Sequence, residues 1–212
     1  MAMITDRDLL LIEPGIFKNA MDIATLLIDA ADGSVSGTSL NSASSDFESM
    51  SIDAGHVAVL EGEITEVVAR VSTTELTVSL PRVTSEDPLI APTAGSGLTV
   101  KVPTFGRQIN FSEAWVLGAL GLDAGDLGLT PDESAILNPC DIGRLIALET
   151  VARVFAAAAA LDPADQSLAD SATHYAGEVA AARHRTQAIL DLDGDGCADA
   201  SRRVCAIALT RT

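Results

Sequence analysis

The chain has 212 residues, of which 30 are acidic and 13 basic, and its formal net charge is −17 at pH 7. A surface of this sign repels phosphate over about a Debye length, which excludes a protein that grips DNA or RNA through clustered Lys and Arg. The apolar fraction of 48% is sufficient for a buried core. No apolar run reaches the ~18 residues of a membrane span, so we expect no membrane partner.

Residues 1–23 are predicted to form an N-terminal helical segment. Thr5 is followed three residues later by Asp8, a spacing typical of a helix start, in which the side-chain oxygen of Thr5 caps the first turn. The apolar positions of this helix are Leu9, Leu10 and Ile12.

Residues 24–104 are predicted to be β-rich, because short runs of β-forming residues alternate there with turn residues. The pattern indicates a small antiparallel sheet or barrel. The stretch 81–103 contains four Pro and reads as a connecting loop, which leaves open whether a further strand lies near Leu98.

Residues 105–190 are predicted to form an Ala-rich helical bundle. The hydrophobic period becomes helical at Phe105, and a second helix is expected to begin at Pro139, with Asn138 as its cap. A third helix is expected from Ala164 to about Ile189, with its arginines exposed. Abundant Ala in the last two helices predicts that their axes approach closely.

Residues 191–212 are predicted to form a C-terminal hairpin or docking tail. The dipeptides Asp193-Gly194 and Asp195-Gly196 supply the positive φ angles of a two-residue hairpin turn. Arg side chains on the returning strand either keep an exposed edge soluble or add the strand to the sheet of a partner and pair with its acids. The second alternative assigns partner docking to Arg202, Arg203, Val204, Ile207, Leu209 and Arg211.

The acidic turn also matches part of a calcium-binding loop. Positions 1, 3, 5 and 9 of the EF-hand pattern hold Asp191, Asp193, Asp195 and Asp199, but position 12 holds Arg202 in place of the bidentate Glu. A fixed positive charge repels a cation. We therefore expect a solvated turn without metal, and calcium at the four aspartates is the alternative.

No motif in the sequence assembles an active site. The region 39–51 is rich in Ser but lacks a GxSxG elbow, and Gly95-Ser-Gly97 lacks the Lys of a phosphate-binding loop. Three cysteines without CxxC spacing predict no structural zinc, and their odd number favours reduced thiols in a cytoplasm. We therefore expect a protein that is not an enzyme and binds no cofactor. The cysteines are Cys140, Cys197 and Cys205.

Taken together, the elements predict an α+β protein: an Ala-rich helical bundle with an inserted small antiparallel β region and a C-terminal β-hairpin or strand. The order of parts from 105 to 212, ending in the Asp-Gly-Asp-Gly turn with Ala198-Asp199 and Arg202-Arg203, resembles the head-to-tail connector, or adaptor, proteins of tailed bacteriophages and phage-like particles. The connectors concerned are of the helical-bundle type that binds under the portal.

The resemblance implies a structural virion protein of the neck, assembled in the host cytoplasm. Its expected partners are the portal protein, neighbouring copies of itself in a ring of twelve, and the next neck or tail protein. Genomic DNA would pass through the lumen without specific binding, which agrees with the acidic composition. The resemblance places the portal contact at 202–212. The alternative function is a calcium-dependent binding or adhesion module that uses the Asp-rich loop 191–199.

Overall fold

The computed structural model describes residues 3–122 and 132–204 and divides the chain into two compact units. The first, named here the barrel unit, is Thr5–Gly106. The second, the helical unit, is Met1–Ile4 together with Arg107–Thr212.

The barrel unit contains a closed antiparallel barrel in which the strands lie in the order β1-β2-β5-β4-β3-β6. Closure comes from β1 and β6, the longest strands, which pair with each other although they come from the two ends of the unit. The strands are β1 (Thr25–Ser36), β2 (Ser39–Asn41), β3 (Val57–Leu60), β4 (Glu63–Arg70), β5 (Glu75–Ser79) and β6 (Gly95–Thr104).

The barrel interior is filled by aliphatic side chains from every strand, together with two residues of the β2–β3 connection, Phe47 and Ile52. Phe47 is fully buried although it lies outside any strand. Its backbone is fixed by the bond from its N–H to the carbonyl of Thr73, at 2.7 Å. A side chain from a loop therefore closes the core that the strands leave open.

Two short α-helices, α1 (Asp6–Ile12) and α2 (Ile16–Asn19), and a 3-10 helix (Met21–Ile23) precede the barrel strands. The Asp8 carboxylate accepts from the backbone N–H of Thr5 at 2.7 Å, as expected of a helix start at this position. α1 contacts β3, whose four residues are all buried. A strand that is covered on both faces lacks the alternation of a half-exposed strand.

A buried ion-pair cluster in the barrel unit joins three parts of the chain. Glu66 on β4 is 1% exposed, and its carboxylate receives the Nε–H of Arg7 on one oxygen and the Nε–H of Arg82 on the other. Arg82 also donates to the carbonyl oxygens of Ser85 and Asp87, at 2.9 and 2.7 Å. The cluster therefore fastens α1 and the segment after β5 to the barrel wall.

The helical unit contains three α-helices, a short 3-10 helix (Glu133–Ala135) and a two-stranded hairpin within its described residues. α3 (Gly106–Ala119), α4 (Pro139–Leu161) and α5 (Gln166–Arg185) are followed by β7 (Gln187–Leu190) and β8 (Ala200–Arg203). α4 packs on α5, and the rings of Phe155 and Tyr175 stack between them at 5.7 Å. α4 begins at Pro139, as expected from the sequence, but the predicted cap is wrong, because the side chain of Asn138 makes no cap hydrogen bond and is bonded to Gln187 and Ile189 instead.

The predicted fold class is wrong. The protein is α+β, but it is not an Ala-rich helical bundle with a small β insertion, because a closed six-stranded barrel forms one of its two compact units. The prediction failed since barrel closure depends on pairing between distant strands, which no local pattern displays. α5, which corresponds to the predicted third helix of the bundle, ends at Arg185 and not at Ile189. Residues 187–190 form the strand β7 instead.

Within residues 3–122 and 132–204, no helix combines the length and the apolar character needed to cross a membrane.

Candidate functional site

The candidate site is the hairpin of β7 and β8 with its connecting loop. β7 is the inner strand, because its second edge is bonded to the segment before α4: Leu137 N–H donates to the carbonyl of Ile189 at 2.8 Å. The side chain of Asn138 adds two bonds to the same edge, one from Ile189 N–H at 2.8 Å and one to the carbonyl of Gln187 at 2.9 Å. In the described part of the chain, β8 pairs only with β7. Its outer edge is therefore open there.

The predicted two-residue turn is wrong, because β7 ends at Leu190 and β8 begins at Ala200. The residues between them form an acidic loop, 191–199, whose shape is set by bonds from backbone N–H groups to its own carboxylates. Asp191 accepts from Gly194 and Gly196, both at 2.7 Å. Both glycines have φ near +80°, which an L side chain rarely adopts.

Three carboxylates of this acidic loop converge. One oxygen from each of Asp191, Asp193 and Asp195 lies within 4.8 Å of the other two. The bond from the N–H of Gly196 is the main cause of a pKa of Asp191 below its usual range, so this carboxylate stays ionised near neutral pH. Three like charges at this separation repel one another, and a bound cation would relieve the repulsion.

Asp199, the fourth predicted calcium ligand, is used differently. One of its carboxylate oxygens accepts from the N–H of Leu192 at 2.7 Å and from that of Asp193 at 3.3 Å. These bonds close the acidic loop across its base. The converging group therefore comprises three of the four predicted aspartates.

Arg202 is held by the helical unit itself. Its Nη1 donates to the carbonyl of Leu120 at 2.6 Å and to that of Gly121 at 3.1 Å, where α3 has ended and carbonyl groups lack helical partners. The side chain thus serves as an internal anchor of β8.

The other predicted docking residues divide into three groups. Arg203 is exposed on β8, and Val204 is buried, 8% exposed. Three more lie outside the described residues: Ile207, Leu209 and Arg211. Among the described residues, Arg203 is therefore the charged group of β8 that faces solvent.

Sequence reasoning missed a polar cluster that ties the three helices together. Glu149 on α4 is 5% exposed and accepts from Arg153 Nε at 2.9 Å and from Arg183 Nη2 on α5 at 2.7 Å. The two guanidinium groups also lie over rings of α3, 4.7 Å from the centre of Phe111 and 4.1 Å from that of Trp115. The spacing of Glu149 and Arg153, four residues apart, was the available signal. Arg183 is therefore half-buried, which corrects the expected exposure.

Comparisons with known proteins add no identity to this geometry. Protein-family models, curated proteins and solved structures were each searched, and none of the three searches found a match.

Proposed function

We propose that this protein is a structural subunit of a virion neck, a head-to-tail connector that forms a ring, docks on the portal and bridges it to the next neck or tail protein. The observation that carries the proposal is the open outer edge of β8 in the described chain, next to the solvent-exposed Arg203. An edge strand with free backbone groups is suited to receive or extend the sheet of a partner.

The charge of the chain supports the proposal in a second way. With −17 overall, a ring of these subunits would present an acidic lumen to the genome. DNA phosphates are repelled by such a wall, so the duplex can slide without being held. The sequence resemblance of 105–212 to connector proteins supplies the class of partner.

The test is co-sedimentation of the full-length protein with portal rings of the same particle, followed by electron-microscope class averages of the complex. We expect a collar stacked coaxially on the portal, whose ring number can be counted. Absence of association at concentrations well above micromolar would contradict the connector function.

A charge reversal, Arg203→Glu, tests the docking edge. We expect it to weaken portal association at least about tenfold, because it replaces an attractive charge pair at the proposed contact by a repulsive one. Arg144→Glu, which reverses an exposed charge on α4, is the matched control and should leave association unchanged. Equal binding by both variants would remove β8 from the contact. Deletion of 201–212 is the poorer test, since it also removes the anchor Arg202.

A second candidate function, calcium-dependent binding, is favoured by the convergence of three carboxylates in the acidic loop. Calcium prefers six to eight oxygen ligands, and carboxylates supply them most strongly. Ligands beyond the three aspartates would have to come from backbone carbonyls and water.

Isothermal titration with calcium checks this second function. We expect a saturable heat that disappears in Asp193→Ala, because the variant removes one of the three converging carboxylates. Asp170→Ala, at an exposed position on α5, is the control and should bind as the unchanged protein does. If the unchanged protein gives no heat at millimolar calcium, the acidic loop is a metal-free turn.

A further inference from the structure

The positive charges of the barrel unit are distributed unevenly over its surface. The unit holds 15 acidic and 5 basic residues. Three of the basic residues are arginines engaged within the unit: Arg7 and Arg82 pair with buried Glu66, and Arg70 donates to the carbonyl of Ile52 at 3.4 Å while lying 4.0 Å from Asp53. The remaining two are lysines.

These two lysines, Lys18 and Lys101, are the only lysines of the chain, and both line the same cleft of 350 Å³. Lys18 lies on α2 and Lys101 on β6, so two separate elements contribute the lysines that line this cleft. Within the described ranges, neither lysine forms a salt bridge or a side-chain hydrogen bond. The other residues that line it are Met21, Val59, Glu61, Gly62 and Thr99, and we name it the lysine cleft.

Glu61, the acidic residue of the lysine cleft, already has a partner. Its carboxylate accepts from the backbone N–H of Thr99 at 2.6 Å, and this bond is the main cause of its lowered pKa. Glu61 has φ +48°, and the following Gly62 has φ +84°. A positive φ is unfavourable for Glu, so the turn between β3 and β4 positions Glu61 at a cost in backbone strain.

One further acid lies beside Lys101 on a neighbouring strand. Asp29 on β1 is the cross-strand partner of Lys101, so the two side chains lie on the same face of the sheet. Asp29 is exposed, and it makes no salt bridge with Lys101. The lysine pair thus stays available to a ligand.

We propose that the lysine cleft binds a small oxyanion of the phosphate type. Two ammonium groups from different elements can each donate to a different oxygen of one tetrahedral anion, and hydrogen bonds between charged partners are about twice as strong as neutral ones. The surrounding acidic surface excludes a polyanion such as DNA but admits a ligand confined to the cleft. Met21 and Val59 offer an apolar wall to any group that the phosphate carries.

The test is titration of the full chain with inorganic phosphate, followed by NMR of the Gly62 and Lys101 backbone amides, with sodium chloride at matched ionic strength as reference. We expect saturable shifts in the low millimolar range with phosphate alone. A nucleoside monophosphate, titrated in parallel, distinguishes the free ion from a phosphate carried on an organic group, which would bind more tightly. Equal shifts with phosphate and chloride would overturn the proposal.

Two variants make the test specific to the lysines. Lys18→Gln and Lys101→Gln are each expected to weaken phosphate binding about tenfold or more, because each removes one charged donor. Arg144→Gln removes an exposed positive charge from the helical unit and should leave binding unchanged. If either lysine variant binds phosphate as the unchanged protein does, that lysine is not a ligand and the two-lysine site is wrong.

Discussion

Replacement of Arg82 by Ala is expected to lower the free energy of unfolding of the barrel unit by about 3 to 5 kcal/mol, the usual cost of breaking a buried ion pair. Glu66 would keep its bond to Arg7 but lose the partner of its second oxygen, while remaining 1% exposed. The carbonyls of Ser85 and Asp87 would lose their donor as well.

The measurement must report on the barrel, and the only Trp of the chain, Trp115, lies in the helical unit. Amide hydrogen exchange of Val67 and Val78 is suitable, because their N–H groups are bonded to the carbonyls of His56 and Thr38, at 2.9 and 2.8 Å. A loss of protection at both amides in Arg82→Ala would agree with the expected result.

Two further variants separate charge from packing at Glu66. Arg7→Gln should cost less than Arg82→Ala, about 1 to 3 kcal/mol, because Arg7 is more exposed and Glu66 keeps the buried partner. The double variant Glu66→Met with Arg82→Met should recover part of the loss, since apolar residues of similar size often replace a buried pair at little cost. A loss below about 1 kcal/mol in Arg82→Ala would contradict the assigned role of the cluster.

Replacement of Phe47 by Ala is the second large effect, with an expected loss of about 3 to 5 kcal/mol in the free energy of unfolding of the barrel unit. Phe47 is fully buried and belongs to the core cluster, so its removal leaves a cavity among aliphatic side chains. Its loop cannot simply collapse, because Asp32 holds it through bonds from the hydroxyl of Ser42 and the N–H of Ser44, at 2.6 and 2.7 Å.

Met50→Ala provides the control in the same loop, since Met50 is 47% exposed and outside the core cluster. Its effect should stay within about 0.5 kcal/mol, as is usual for surface substitutions. Amide hydrogen exchange of Val67 and Val78, which reports on the barrel unit, measures both variants. Similar protection of these amides in the two variants would show that Phe47 does not close the barrel core.

Local chemistry in the sequence located several features correctly. α1 starts directly after Thr5, whose N–H is bonded to the Asp8 carboxylate, and α4 starts at Pro139, whose φ is fixed; both effects act within one turn of chain. The spacing of Asp191, Asp193 and Asp195 raised calcium as the alternative to a metal-free turn; the three carboxylates do converge, and calcium binding stays a prediction. Helix starts and the spacing of acidic residues depend on neighbouring residues, so they are readable without a fold.

Other features depended on contacts between distant residues. Leu98 gave only an ambiguous strand signal, yet β6 runs through it and closes the barrel by pairing with β1. A strand forms at Leu98 because it pairs with β1, which lies far away in the chain. Loop closure over such a distance is a property of the whole fold and leaves no periodic pattern.

The amino-acid sequence by itself determined the acidic character of this protein, its helix starts and the position of its aspartate loop, because these follow from composition and neighbouring residues. Tertiary structure decided which charges are free. Arg202 is bound to the carbonyls after α3 and Arg82 to Glu66, whereas Lys18 and Lys101 meet in one cleft. The availability of a charged side chain is set by what packs against it, and that is known only once the distant parts of the chain have come together.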